Sequence, residues 1–197
     1  MSYGQIIATI PVAGTLYNTF TTAKSMLTSS TATEASSAFI TLPPNFWQRG
    51  GYLEIDFMAG MSWASGNTMT FTINVGSVAA FVSDAIKVTT TGGTTEPCHG
   101  RIVLTCRAQG NGTLANLIGG GFIEGRGISP AGATAGANYA AGMGIASLKE
   151  GTPAVGTGFD STVANTLDFL VTMGTSSASN GFQLQQYVVK AWGNLSV

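Results

Sequence analysis

The residues able to do chemistry in this chain are few and scattered. His99 is the single histidine, flanked by Cys98 and Gly100, and the second cysteine is Cys106. A nucleophilic or acid–base site built on imidazole would have to use His99, with Asp84, Asp160 or Asp168 to orient it. No G-x-S-x-G elbow and no histidine pair accompanies it, so a loop or surface histidine fits better than a catalytic one. A metal would need Cys98, His99 and Cys106 to converge, yet adjacent strand residues point to opposite faces. Glu54 and Asp56 share one face of a strand and could hold Ca²⁺ or form a glycosidase dyad. Carboxylates two apart on a strand are more often a solvated face. Gly119-Gly120-Gly121 is followed by neither Gly-Lys-Ser/Thr nor a helix start, which fits a bulge or close backbone approach in a strand rather than a phosphate loop. Trp47 and Trp63 stand near strand ends, where rings can stack on sugars, although core or rim packing suits them better. The expectation is no enzyme, no cofactor and no bound metal.

The elements that must position these residues read as strands. In Leu53-Glu54-Ile55-Asp56-Phe57 apolar and acidic residues alternate, and Met69 to Val75 repeats the pattern with Thr and Asn outward. Ile102, Leu104 and Cys106 alternate with Arg101, Val103, Thr105 and Arg107. Leu167, Phe169, Val171 and Met173 do the same later. A last strand runs from Gly181 to Trp192, with a phase break at Gln185-Gln186 that predicts a bulge. Turn signals such as Gly50-Gly51, Ser65-Gly66-Asn67 and Gly110-Asn111-Gly112 separate the runs. Short strands at this spacing predict an all-β, antiparallel β-sandwich of jelly-roll type. Only Thr21–Leu27 and Ala141–Leu148 resemble helices, both weakly. Residues 1–13 read as an extended apolar N-terminal arm. Residues 14–197 read as one domain, with a long Gly/Ala-rich loop at about 125–158 that packs on something.

Composition narrows the function classes. Only 9% of 197 residues are charged, against about 25% in an ordinary soluble domain. With 27 glycines and a net charge of −1, such a surface tolerates close contact with other proteins and suits a part of an assembly. The scattered arginines argue against nucleic acid, which needs clustered cations. No apolar run is long enough for a membrane helix, and no cation precedes the apolar start, so neither a span nor a secretory signal is expected. Two cysteines make no disulfide framework. They bridge only if a hairpin sets them face to face, and are otherwise two reduced thiols.

Three stretches carry a family likeness: PVAGTLYNTFTTAKSML at 11–27, LTCRAQGNGTLANLIGGG at 104–121, and VGTGFDSTVANTLDFLVTMGTSSASNGFQLQQYVVKAWG at 155–193. In strand order, turn chemistry and a closing Gln-rich strand the chain resembles the jelly-roll virion proteins of tailed bacteriophages, most of all capsid decoration, or cement, proteins. The resemblance implies a homotrimer on the outer capsid surface, made in the bacterial host cytoplasm and bound to the major capsid protein. It implies no nucleic-acid, membrane or small-molecule partner. The N-terminal arm would then make partner contacts through Tyr3, Ile6, Ile7 and Ile10. The same fold also occurs in tail-fibre tips and baseplate modules, which leaves a receptor-binding module as the alternative.

Overall fold

The computed structural model describes residues 3–10, 13–27, 40–63, 66–88, 96–130, 143–149 and 154–193. Every regular element among them is a strand. In chain order these are β1 (Tyr3–Ile10), β2 (Tyr17–Asn18), β3 (Lys24–Ser25), β4 (Ile40–Leu42), β5 (Tyr52–Ser62), β6 (Thr68–Val75) and β7 (Val78–Val82). They continue as β8 (Ile86–Val88), β9 (Glu96–Ala108), β10 (Asn116–Arg126), β11 (Ile128–Pro130), β12 (Met143–Ser147), β13 (Asn165–Met173) and β14 (Gly181–Gly193). One sheet has the order β1-β14-β5-β9-β10-β12, with β2 also on β14. The other runs β11-β8-β6-β13-β3, with β4 also on β13 and β7 on β6. All pairs are antiparallel, which makes the anticipated antiparallel sandwich.

The period-two pattern explains why these segments pair in the register they do. A one-residue slip would turn every apolar side chain of a strand toward water. Leu53, Ile55 and Phe57 of β5 point inward, as do Ile102, Leu104 and Cys106 of β9, and Leu167, Phe169, Val171 and Met173 of β13. The sheets meet through four phenylalanine rings. Phe57 lies 5.1 Å from Phe169 and 5.7 Å from Phe71, and Phe71 lies 5.9 Å from Phe182. Gly100, opposite Phe57 on β9, leaves room for that ring, and a Cβ there would collide with it. The bulge foreseen at Gln185-Gln186 is present as a register shift between Leu184 and Gln186 against β5. It lets Leu184 and Tyr187 both face the core.

The glycine run lies inside β10. A Cβ on Gly119 would meet the Phe81 ring, and one on Gly121 (φ +150°) would meet the Arg101 carbonyl oxygen. Gly121 therefore occupies backbone space that an L side chain enters only with strain.

Two helix readings are overturned. Residues 24–25 form β3 on β13, and residues 143–147 form β12 on the edge of β10. In the latter Gly144 and Ala146 face inward and Ile145 faces water, a period of two, and strand pairing meets the main-chain groups of β10 that a helix would leave open. The described parts of the Gly/Ala-rich segment pack on their own sandwich. They supply β11 to one sheet and β12 to the other, and a bridge between Val155 and Ile118 follows.

Candidate interaction surface

Alternation on β5, β9, β10 and β14 sets one set of side chains on the outer face of the first sheet. Its centre is an ion-pair quartet. Lys190 lies opposite Glu54, and Arg101 lies opposite Asp56. Arg101 Nε donates to Asp56 Oδ1 at 2.7 Å, and Lys190 Nζ donates to Asp56 Oδ2 at 2.8 Å and to Glu54 Oε1 at 3.2 Å. Burial pushes the Asp56 carboxyl up, but hydrogen bonds from Lys190 and Arg101 outweigh it and hold the group below its ordinary value. The same bonds raise Lys190 and Arg101. On the next row His99 Nδ1 lies 3.1 Å from Glu124 Oε1, and beyond it Arg126 donates to Glu96 at 3.0 Å.

Lys190, Arg101 and Arg126 cancel the charges of Glu54, Asp56 and Glu96 in place, and apolar side chains stand around them. Ile6, Met58 and Ile145 are among the most exposed large hydrophobics, at 62%, 51% and 61%. A shallow depression of about 270 Å³ lies between Met58, His99, Arg101, Gln186 and Val188. The nearby edge of the sheet is β1, which carries no charged residue and no proline. Among the described residues only β14 pairs with it, along one side, which leaves the main-chain groups of the other side without a described strand partner. Natural proteins usually blunt such an edge with lysine, proline or a covering loop. Trp192 clamps the start of β1 by lying over Gly4, and it stacks on Tyr52 with centroids 6.0 Å apart.

Of the residues expected to contact a partner, all four lie on β1. Ile6 faces water, and Ile7 packs partly on the core beside the bulge between Ile6 and Ala8. Tyr3 and Ile10 pair in register with Gly193 and Tyr187, while their side chains lie outside the described residues. Residues 3–10 of the segment read as an arm are thus paired to their own sheet.

The candidate orienters of His99 are engaged elsewhere. Asp168 accepts from Ser25 Oγ at 2.6 Å, Asp84 from Lys149 Nζ at 3.0 Å, and Asp160 from Thr162 Oγ1 at 2.6 Å. Glu124 lies beside His99 instead, because β9 and β10 pair them directly. Sequence spacing across a hairpin could have suggested that pair only once the register was known. Cys98 and Cys106 are both free and face the core from the same strand, about 26 Å apart at the usual strand rise. They do not face each other across a hairpin, and His99 points to the opposite face. Burial pushes the Cys98 thiol up to about 12. Among the described residues no group of three His, Cys, Asp or Glu could hold a metal. Trp47 and Trp63 are core residues at 3% and 2% exposure.

The fold defines an antiparallel β-sandwich whose most distinctive surface is a wide outer sheet face bordered by an uncharged edge strand. No family model and no curated protein matches this chain. Among solved structures it is similar to a chain from infectious bursal disease virus strain Gx, at 8% identity and a TM-score of 0.29. The match covers 100% of this chain, which spans 37% of the length of the viral one. It is also similar to the CBM2 module of the evolved Dit of Lactobacillus casei BL23 phage J-1, at 8% identity, a TM-score of 0.29 and 96% coverage of both. Likeness that remote carries no functional inference.

Proposed function

We propose that this protein is a bacteriophage virion component, a trimeric capsid decoration protein that binds the major capsid protein on the outer shell and stabilises contacts between capsomers. The family resemblance supplies the class. The observation that carries the reading is the outer face of the first sheet, where charges are neutralised in place, large apolar side chains are exposed, and an uncharged edge strand runs alongside. Low residual charge lowers the desolvation cost of close contact and makes it insensitive to salt. A standard contact buries about 800 Å² per partner, and three linked copies raise the effective concentration of the second and third contacts. Strand addition on β1 would supply directional main-chain hydrogen bonds, with Ile6 as the exposed anchor.

Copy number tests this directly. Hundreds of copies per particle in a cryo-EM map, arranged as trimers on the shell, are the expected result. A dozen or fewer copies at the tail would replace this reading with a receptor-binding or baseplate module.

A further inference from the structure

At one end of the sandwich hydrogen bonds join three loops into a rim. Asn45 N–H donates to the Ser161 carbonyl at 2.8 Å, and Ser161 N–H donates to that of Gly110 at 3.0 Å. Gly110 N–H returns a bond to Ser161 Oγ at 2.9 Å, and Gly50 N–H donates to the Cys106 carbonyl at 2.9 Å. The rim encloses an open groove of about 600 Å³ lined by Gln48, Arg49, Arg107, Ala108 and Gln109. A smaller recess of about 140 Å³ adjoins it, sharing Gln48 and Gln109 and reaching Trp47. Trp47 is buried against Phe46 and Phe159, and its indole N–H has no partner among the described residues.

The polar groups of this groove are unequal. Arg49 and Arg107 are exposed and have no acidic partner among the described residues, unlike Arg101, Arg126, Lys149 and Lys190. Two guanidinium groups facing one groove without a counter-charge repel each other until an anion enters. Gln109 uses its side-chain carbonyl to accept from Arg49 N–H at 3.2 Å, which leaves its NH₂ group to donate. Gln48 spends its NH₂ on the Asn45 carbonyl at 2.8 Å, which leaves its own carbonyl to accept. The groove therefore offers two planar cationic forks for an oxyanion, with one amide donor and one amide acceptor matched to a peptide unit.

We propose that this groove binds the carboxylate side chains of an acidic polypeptide segment from a partner protein. Among the described acids Glu54, Asp56, Asp84 and Glu96 are held by cations, Glu124 lies on His99 and Asp168 on Ser25. The described residues of a second copy could therefore offer only the single carboxylate of Asp160, whereas two forks side by side suit neighbouring carboxylates. The inference deepens the reading of the protein as one that attaches to other proteins, and it rests on that reading for the identity of the partner as a polypeptide.

The test uses the purified full chain and no particle, so its outcome is separate from that of the copy-number measurement. An acetylated, amidated Gly-Glu-Glu-Gly peptide is titrated by NMR, beside its Gly-Gln-Gln-Gly analogue, inorganic phosphate and glucuronate. The expected result is saturable binding of the Glu peptide that shifts the Gln48 and Gln109 side-chain amides, with the Gln analogue at least about tenfold weaker. R49Q/R107Q should abolish the response with the melting temperature unchanged, since both side chains are exposed. R49K/R107K, which keeps the charge and loses the forks, should retain only part of it. Equal binding of the two peptides, or an undiminished response in R49Q/R107Q, would overturn the proposal. So would binding of phosphate or glucuronate in preference to the Glu peptide.

Discussion

Two aspartates show how side-chain surroundings set opposite responses to pH. Asp56 is held below the ordinary value of 3.8, so the unfolded chain binds its proton more readily than the folded one. Its contribution to stability is present above pH 3.8 and is lost as the pH falls through the folded value. Asp168 is shifted up, because burial outweighs the hydrogen bond from Ser25. Its contribution is present below 3.8 and is lost as the pH rises through the folded value. Thermal melts across the acid range should therefore show Asp56→Asn flattening the acid loss of stability. Asp168→Asn, which keeps an acceptor for Ser25, should melt at or above the parent at pH 7. A drop of more than about 1 kcal/mol for D168N would contradict this assignment.

The glycine run offers a sharper contrast at the same scale. Gly121→Ala should cost about 3 kcal/mol or more, since its Cβ meets backbone at φ +150°. Gly120, with nothing within 4 Å of its notional Cβ, should accept alanine within about 1 kcal/mol. Denaturant melts of the two variants make the comparison.

At the scale of elements, β1 carries two separable roles. Ile7 and Ala8 pack on the core, and the main chain of β1 covers the edge of β14 between Trp192 and Tyr187. Deleting residues 1–12 exposes that edge, so the truncated chain should lose stability by about 1–3 kcal/mol as well as particle occupancy. Ile6→Gln separates the roles without setting a second cation opposite Lys190. The side chain is 62% exposed, so stability should move by less than about 0.5 kcal/mol, while the proposed attachment to particles falls. Unchanged occupancy of the I6Q protein would remove β1 from the proposed interface. Strand β9 makes a different point. It holds both cysteines on one inward face, so a thiol reagent should find two free thiols only after denaturation and almost none in the native protein.

At the scale of the whole molecule, the chain presents one sheet face whose charges are consumed internally, with exposed apolar side chains around them. Interfaces built on such a face depend on shape and buried area more than on long-range attraction. On the proposed capsid role, decorated particles should accordingly keep the protein when ionic strength rises from about 0.1 M to about 1 M, a change that shortens the screening length about threefold. Release at high salt, read by sedimentation of the particles, would place the attachment on the basic groove rather than on the neutralised face.

Much of the architecture was legible in the residues themselves. Strict alternation on β5, β6, β9 and β13 determined which side chains are buried, because a strand half in water admits only one assignment of its two faces. The glycine run likewise foretold a close backbone approach, within a ladder that stays regular there, and the Gln185-Gln186 phase break foretold a bulge. What the tertiary structure decided was which strands are neighbours. The quartet of Glu54, Asp56, Arg101 and Lys190, the meeting of His99 with Glu124, and the groove of Arg49 and Arg107 each join residues far apart in the chain. Their juxtaposition comes from cross-strand register and loop closure, which a local pattern does not contain. The same reason accounts for residues 143–147, where weak helical propensity gave way to the open edge of β10, whose donors and acceptors only a strand could satisfy.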